Sequence, residues 1–172
     1  MRLRSRGVAA RVAAFILAVT LGSAALGPSP ASAHTPSGSW GSFHTICWGC
    51  SVDSGNIVRA WQIILWVDKA TSATCFSFAD GGFGSNTDRA TEVWQGRMDL
   101  GVDGSVGYNT WTKAYSRLVR TPALDNAEFY AYDYRYNGRF VTFLKRKSDG
   151  AWYFYPDPPY CTNTTGFTPM NH

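Results

Sequence analysis

Two aspartates, Asp80 and Asp103, lie 23 positions apart, and each begins a copy of one short pattern. The first copy reads Asp80-Gly81-Gly82-Phe83-Gly84-Ser85-Asn86-Thr87, and the second reads Asp103-Gly104-Ser105-Val106-Gly107-Tyr108-Asn109-Thr110. A carboxylate pair can hydrolyse a glycosidic bond when an apolar cleft raises the pKa of one member. An Asp before Gly instead favours a tight turn, because the carboxylate accepts nearby backbone hydrogen bonds and Gly tolerates positive φ. The duplication therefore predicts two turns that each lead into a helix, not a catalytic pair.

The residues around these turns are predicted to be scaffold. We expect the side chains of Ser85, Asn86 and Asn109 to cap the helices that follow the turns. Gln62 and Gln95 each follow a Trp and are expected to bond to loop backbone. A small domain must bury its large side chains, so we expect the following to be core residues: Trp61, Phe83, Trp94, Val106 and Trp111.

Residues for other hydrolytic chemistry are scarce. The only histidines are His34, His44 and His172, and two of these lie at chain ends that we expect to be mobile. The sequence contains no Gly-x-Ser-x-Gly elbow and no His-Glu-x-x-His helix. We therefore predict a protein that is not an enzyme, with no catalytic residue, no cofactor and no metal site.

Four cysteines follow position 33 and favour two disulfides in an exported chain. The alternative is zinc, since His44, Cys47 and Cys50 have ligand-like spacing and Cys75 could complete the site. An oxidising compartment favours the disulfides. Cys50 precedes the first predicted helix and Cys75 lies in the loop that leads to the first turn, so we predict a Cys50–Cys75 bond. The remaining Cys47 then pairs with Cys161.

Residues 1–33 have the features of a secretory signal peptide. Its basic residues are Arg2, Arg4, Arg6 and Arg11, and residues 12–21 are apolar apart from Thr20. This apolar part is short for a membrane-spanning helix, and Ala31-Ser32-Ala33 is a small-residue cleavage site. We predict cleavage between Ala33 and His34. The mature protein is then secreted, extracellular or associated with the cell wall, with no membrane contact.

The predicted signal peptide, called the leader below, also explains the basic character of the whole chain, which has a formal net charge of +4. Four of the 16 basic residues lie in the leader, which has no acidic residue. The mature chain therefore has 12 basic and 12 acidic residues. This balance argues against nucleic acid as a partner, because nucleic-acid binding requires a basic surface.

Hydrophobic spacing predicts the secondary structure. Short helices are expected over residues 56–66, 87–98 and 109–119, with a loop over 67–79. Strands are expected over 128–136, 139–145 and 151–155, with Asn137-Gly138 as the turn of the first hairpin. The predicted fold class is α+β: a short three-helix bundle followed by a small antiparallel three-stranded meander. The expected segments are the signal peptide 1–33, a flexible disulfide-tethered segment 34–53, the helical domain 54–120, and the meander with the C-terminal tail 121–172.

The first predicted strand has large side chains on both faces. Alternation places Tyr130, Tyr132, Tyr134 and Tyr136 on one face and Phe129, Ala131, Asp133 and Arg135 on the other. One interpretation is that one face packs on the helices while the other is merely rich in aromatic residues. The alternative is an exposed stacking platform for a glycan, or a patch for a protein partner.

Taken together, the helices and turns resemble the peptidoglycan-binding domain family found beside bacterial cell-wall hydrolases. The family's opening helix carries Gly, Val, Leu-Gln and Leu, and Gly55, Val58, Trp61-Gln62 and Leu65 have that spacing. Its middle pattern is matched by Asp80 to Gly84, Thr87, Ala90 and Trp94-Gln95, and its end by Leu100, Asp103, Gly104, Val106, Gly107, Thr110 and Trp111. The match covers residues 54–118. The chain departs from the family at Trp61, in the longer loop 67–79, and in the meander, which has no family counterpart.

This resemblance implies a secreted, non-catalytic protein that binds peptidoglycan in a groove walled by the two turns. The ligand-binding residues that it implies are Asp80, Gly81, Asp103, Gly104, Tyr108 and Asn109. Tyr108 is then the aromatic residue most accessible to ligand; alternatively, it only covers the start of its helix. A rival function is a secreted module that binds or inhibits a protein partner, and a weaker rival is a small cell-wall hydrolase.

Overall fold

An apolar segment with a single charged residue forms the central helix of the fold. The computed structural model describes residues 35–155, 161 and 166–172, and its helix α1 spans Asn56–Val67. Ten of the twelve residues of α1 are buried. A helix that is apolar on all sides must be enclosed by other elements. Other helices and a β-sheet accordingly pack against α1.

Three further helices follow. Helix α2 spans Cys75–Phe78, α3 spans Ser85–Arg97 and α4 spans Tyr108–Tyr115. The predicted loop 67–79 therefore contains a helix, whose first turn is capped by the hydroxyl of Thr74. The third predicted helix ends at Tyr115, earlier than expected, because Val119 belongs to a strand. The described part of the chain thus has four α-helices where three were predicted.

The capping prediction for α3 and α4 is wrong. Ser85, the first residue of α3, follows a glycine cap at Gly84, and α4 follows a glycine cap at Gly107; neither cap makes a side-chain bond. Instead, a threonine hydroxyl in the first turn of each helix donates to a carbonyl of the preceding turn. Thr87 Oγ1 donates to the Gly82 carbonyl, and Thr110 Oγ1 donates to the Ser105 carbonyl. Each helix is therefore fastened to the turn before it by a threonine.

The sheet has five antiparallel strands in sequential order. They are β1 Val119–Arg120, β2 Phe129–Tyr136, β3 Arg139–Arg146, β4 Trp152–Tyr155 and β5 Thr168–Pro169. The turn between β2 and β3 is Asn137-Gly138, and both residues have positive φ, as a tight two-residue hairpin requires. The three predicted strands are present, and two short edge strands extend the sheet beyond the predicted meander.

The inner face of the sheet completes the main core. Tyr134 on β2, Phe143 on β3 and Trp152 on β4 are fully buried against the helices. Phe129, Ala131 and Leu144 form a smaller cluster, with Tyr153 packed against it. The predicted tyrosine row therefore lies on the helix-packing face, with Tyr134 buried and Tyr130 and Tyr136 exposed at its ends. Binding of a glycan or a protein partner by the exposed aromatic residues stays a prediction.

A buried carboxylate links the helices to the sheet. Asp68, directly after α1, accepts hydrogen bonds from Trp94 Nε1 at 2.6 Å and from the hydroxyl of Tyr134, and pairs with Arg117 at 3.0 Å. Burial and the adjacent Asp68 carboxylate raise the pKa of Tyr134 well above its ordinary value. Because Asp68 and Tyr134 are buried, this network is structural.

The four cysteines form two disulfides, but the predicted pairing is wrong. Cys47 bonds to Cys50, and Cys75 bonds to Cys161. The first pair lies within one tight turn, in which the Cys50 N–H donates to the Cys47 carbonyl, so its Cα atoms are 5.2 Å apart. Cys75 instead points into the core at the start of α2, where Cys161 reaches it.

The predicted signal peptide, its cleavage site and His34 lie outside the described residues. All described residues belong to one unit, which spans Ala33–His172. Within the ranges that the structure describes, no helix has both the length and the apolar character needed to span a membrane.

Candidate ligand-binding site

A glutamine on α1 organises the first turn loop, which comprises residues 80–84. The buried side-chain nitrogen of Gln62 donates to Asp80 Oδ1 at 2.8 Å, to the Gly82 carbonyl at 3.0 Å and to Thr87 Oγ1 at 3.0 Å. Its oxygen accepts from the Gly81 N–H at 2.8 Å. The amide is therefore engaged inside the protein, which confirms that Gln62 supports the loop.

Gln95 on α3 organises the second turn loop, residues 103–107, in the same way. Its nitrogen donates to Asp103 Oδ1 at 2.8 Å, to the Ser105 carbonyl at 2.9 Å and to Thr110 Oγ1 at 3.1 Å. Its oxygen accepts from the N–H groups of Asp103 and Gly104. The prediction for Gln95 is confirmed, and the sequence duplication corresponds to one structural unit used twice.

The two aspartates shape these loops. Asp80 Oδ1 also accepts the N–H of Gly82, and Asp103 Oδ1 accepts the N–H of Ser105, each at 2.9 Å. Each carboxylate is thus held by a backbone donor and a glutamine amide. Asp80 and Asp103 are exposed and line two separate cavities. A glycosidase pair would share one apolar cleft, so this arrangement favours a scaffolding role for both carboxylates.

A single segment runs past both loops; we call residues 46–54 the bridging segment. At one end, Ile46 and Val106 exchange two backbone hydrogen bonds. At the other end, the Phe83 N–H donates to the Asp53 carbonyl at 2.7 Å. Phe83 and Val106 occupy the same position in the two copies of the pattern, and both are buried. The bridging segment therefore holds the two loops side by side.

Each loop borders its own cavity. The cavity at the first loop has a volume of about 160 Å³ and is lined by Asp80, Asn86 and neighbouring residues. The cavity at the second loop is larger, about 270 Å³, and Asp103, Tyr108 and Asn109 contribute to its lining. Thr45, just before the bridging segment, forms another part of its wall. The structure thus brings three of the six predicted ligand-binding residues to one cavity.

Gly81 and Gly104 do not line either cavity and have a backbone role. Their φ values are +85° and +70°, which a residue with a side chain rarely adopts. Gly81 packs behind the loop against the Gly55 carbonyl, and Gly104 is buried against the carboxylate of Asp88. Both glycines therefore make the turns possible, and their assignment as ligand-binding residues stays a prediction.

Tyr108 is the most accessible aromatic residue of this site. It begins α4, and 69% of the residue is exposed. One edge of its ring lies against Gly41, where a β-carbon would approach the ring to 3.0 Å. The ring is therefore supported on one side by the chain and open to solvent on another. Asn109 is exposed beside it.

Sequence reasoning missed Trp48, which lies at the tip of the bridging segment and is 62% exposed. The Cys-x-x-Cys spacing around it was the available signal, because two cysteines so close together can close a small ring on themselves. The expectation of a mobile end at His172 is also wrong. Its ring packs against the ring of His44, with centroids 4.7 Å apart, and its backbone packs against Gly55.

Within the described residues, no group of three or more His, Cys, Asp or Glu side chains could hold a metal ion. Comparisons of the chain with protein-family models, with curated proteins and with solved structures found no match. The features of the molecule that bear on its function are therefore the duplicated loops, the cavity beside Tyr108 and the exposed aromatic residues.

Proposed function

We propose that this chain is an exported, non-catalytic protein that binds the peptidoglycan of bacterial cell walls. The observation that carries the proposal is the pair of glutamine-organised Asp-Gly loops held side by side by the bridging segment. Their residues follow the pattern of the peptidoglycan-binding domain family, from Asp80 through Trp111. Rigid turns of this kind present backbone N–H and carbonyl groups that suit an amino sugar or a peptide stem.

The second loop is the proposed contact region. Tyr108 offers an exposed ring, and Asn109 offers both donors and acceptors in the same cavity. Asp80 and Asp103 support the loops, so their carboxylates are already engaged. This arrangement favours binding over turnover, since neither carboxylate is placed in an apolar cleft where a general acid would form.

A second candidate function, binding to a secreted protein partner, is favoured by the hairpin between β2 and β3. Its tip borders a cavity of about 340 Å³ lined by Arg135, Tyr136, Arg139 and Phe140, among others. Tyr136 and Phe140 are 45% and 41% exposed. Exposed aromatic and arginine side chains are enriched where proteins meet. This site is distant in sequence from the duplicated loops, so the two candidates can be tested separately.

Sedimentation of the purified protein with peptidoglycan sacculi tests the proposal. We expect the wild type to sediment, and Tyr108→Ala to bind about tenfold more weakly, the loss expected for one aromatic contact. Tyr136→Ala is the matched control, because it removes an exposed tyrosine from the hairpin and should sediment like the wild type. Wild-type protein that stays in the supernatant contradicts the proposal, and release of soluble wall fragments contradicts its non-catalytic part.

A further inference from the structure

Trp48 is an exception among the tryptophans of this chain. The chain has seven, and six of them are at most 9% exposed, whereas Trp48 is 62% exposed. Burying a large aromatic side chain is one of the strongest contributions to the stability of a small domain. A fold that buries six tryptophans and leaves the seventh in solvent forgoes that contribution at one position.

The backbone around Trp48 is fixed from several sides. The Cys47–Cys50 disulfide closes a ring around Trp48 and Gly49, and Gly49 has a φ of +76°, which permits the sharp turn. The bridging segment is hydrogen-bonded to the second loop at Ile46 and to the first loop at Asp53. A ligand that stacks on Trp48 therefore meets a backbone that is already ordered, which lowers the entropic cost of binding.

The tip lies beside the proposed site. Thr45 lines the cavity at the second loop and precedes Trp48 by three residues. Three residues of extended chain span at most about 11 Å, so the indole stands within reach of the same short ligand. Tyr108 is exposed on the same cavity. Tyr108 thus lines the cavity itself, and Trp48 lies three residues along the chain from its wall at Thr45.

We infer that Trp48 is a stacking platform for the glycan strand of peptidoglycan. This inference rests on the proposed function and names the part of the polymer that is recognised. The face of a pyranose ring carries polarised C–H groups, which are attracted to the negative face of an aromatic ring. The hydroxyl and acetamido groups at the edge of the sugar then need polar partners, which Thr45 and Asn109 supply in the adjacent cavity.

The surroundings of Trp48 favour a saccharide over a protein surface. The residues near it in sequence, Thr45, Gly49 and Ser51, are small and exposed. A protein interface of useful size requires a larger apolar centre with a polar rim. The exposed carboxylates of Asp80 and Asp103 in the two adjoining loops also disfavour polyanionic ligands. A neutral N-acetylated sugar is compatible with all of these features.

Sacculus binding by the full chain gives the first test. We expect Trp48→Ala to bind about tenfold more weakly than the wild type, and Trp48→Phe to recover part of the loss. Phe76→Ala is a closely matched control, because Phe76 is also 62% exposed but lies on α2, away from the bridging segment. Its binding should equal that of the wild type. Thermal unfolding should be nearly unchanged in all three variants, since both side chains are exposed.

A second variant tests the rigid turn. Cys47→Ser/Cys50→Ser retains Trp48 but opens the ring, so it should bind several-fold more weakly while its circular dichroism spectrum stays that of the wild type. A soluble oligosaccharide of N-acetylglucosamine identifies the chemistry. It should shift the tryptophan emission of the wild type and leave that of Trp48→Ala unchanged, because the other six indoles are buried.

The outcomes separate the two proposals. If the wild type fails to sediment with sacculi, the proposed function is wrong. If the wild type sediments and Trp48→Ala sediments equally well, only the role of Trp48 is overturned. A wild type that binds sacculi but responds to free stem peptide and not to the oligosaccharide overturns the assignment to the glycan strand.

Discussion

The first and second turn loops contain the same hydrogen bonds but face different surroundings. In each loop a glutamine amide holds the aspartate, a loop carbonyl and the threonine of the following helix. The first loop has additional contacts with the segment just before α1. The Gly55 N–H donates to the Gly81 carbonyl, and the last residue of the sequence, His172, packs on Gly55.

The second loop differs from the first in the residue that begins the following helix. Its helix begins with Tyr108, which is 69% exposed, whereas the equivalent position of the first loop is Ser85. The buried Cys75–Cys161 disulfide lies just before the first loop, and the Cys47–Cys50 turn lies next to the second. Under the proposed function, we expect the first copy to contribute mainly to the stability of the fold and the second to contact the ligand.

The largest expected loss of stability follows removal of a disulfide, and the two disulfides should differ in how much they contribute. Replacing Cys75 and Cys161 by Ala should lower the free energy of unfolding by about 4–5 kcal/mol, because the bond joins residues 86 positions apart. Replacing Cys47 and Cys50 by Ala should cost about 2 kcal/mol, because that ring is small. Urea denaturation of both double variants measures the difference. Equal losses would contradict the view that the Cys75–Cys161 disulfide anchors the fold.

The next largest loss of stability should follow replacement of the glutamine that organises each loop, and it should be the same for both loops. Gln62→Leu and Gln95→Leu should each lower the free energy of unfolding by about 3 kcal/mol, because buried loop groups lose partners worth about 1–3 kcal/mol each. Glu92→Leu serves as a control at an exposed position of α3 and should change stability by less than about 0.5 kcal/mol. If one glutamine proves dispensable, the two loops do not share one scaffold.

The shared scaffold is the part of the molecule that the sequence predicted best. The repeated Asp-Gly pattern and the spacing of Gln62 and Gln95 depend on local backbone preferences, which two copies make visible. The hairpin at Asn137-Gly138 is confirmed for the same reason, because its two residues tolerate positive φ. Features that a few adjacent residues determine were therefore predictable.

Features that depend on contacts between residues distant in sequence were not predictable. Strands β1 and β5 have two residues each, too few to show alternation, and they exist because β2 and β4 offer edges for pairing. The disulfide partners depended on where Cys75 points once α2 forms, which spacing does not reveal. The candidate site was predictable only in part for the same reason. Tyr108 could be nominated from its place in the repeat, but Trp48 became a candidate only once the structure placed the bridging segment against both loops.

A smaller effect should distinguish the turn glycines. Gly81→Ala and Gly104→Ala should each cost about 1–2 kcal/mol for placing a β-carbon at positive φ. Gly104→Ala should cost more, because its β-carbon would overlap the Asp88 carboxylate, whereas that of Gly81 would lie 3.3 Å from the Gly55 carbonyl. Adding Asp88→Ala should recover the excess in a double-mutant cycle. Gly84→Ala, which meets nothing within 4 Å, is the control. Equal costs at both glycines would contradict the prediction.

The smallest effect on stability is expected from exchanging the residues that begin the two helices, and the same exchange tests which loop binds the ligand. Ser85 and Tyr108 are both exposed first residues of helices that follow the two loops, so exchanging them should change the free energy of unfolding by less than about 0.5 kcal/mol. We expect Tyr108→Ser to bind sacculi about tenfold more weakly than the wild type, as Tyr108→Ala does, and the exchange variant, Ser85→Tyr with Tyr108→Ser, to remain deficient. The tyrosine would then border a cavity of about 160 Å³ instead of 270 Å³, and one without Thr45 in its wall. Full recovery in the sedimentation assay would show that the aromatic ring alone matters and that the two loops are interchangeable. Continued deficiency would locate binding in the second loop together with the bridging segment.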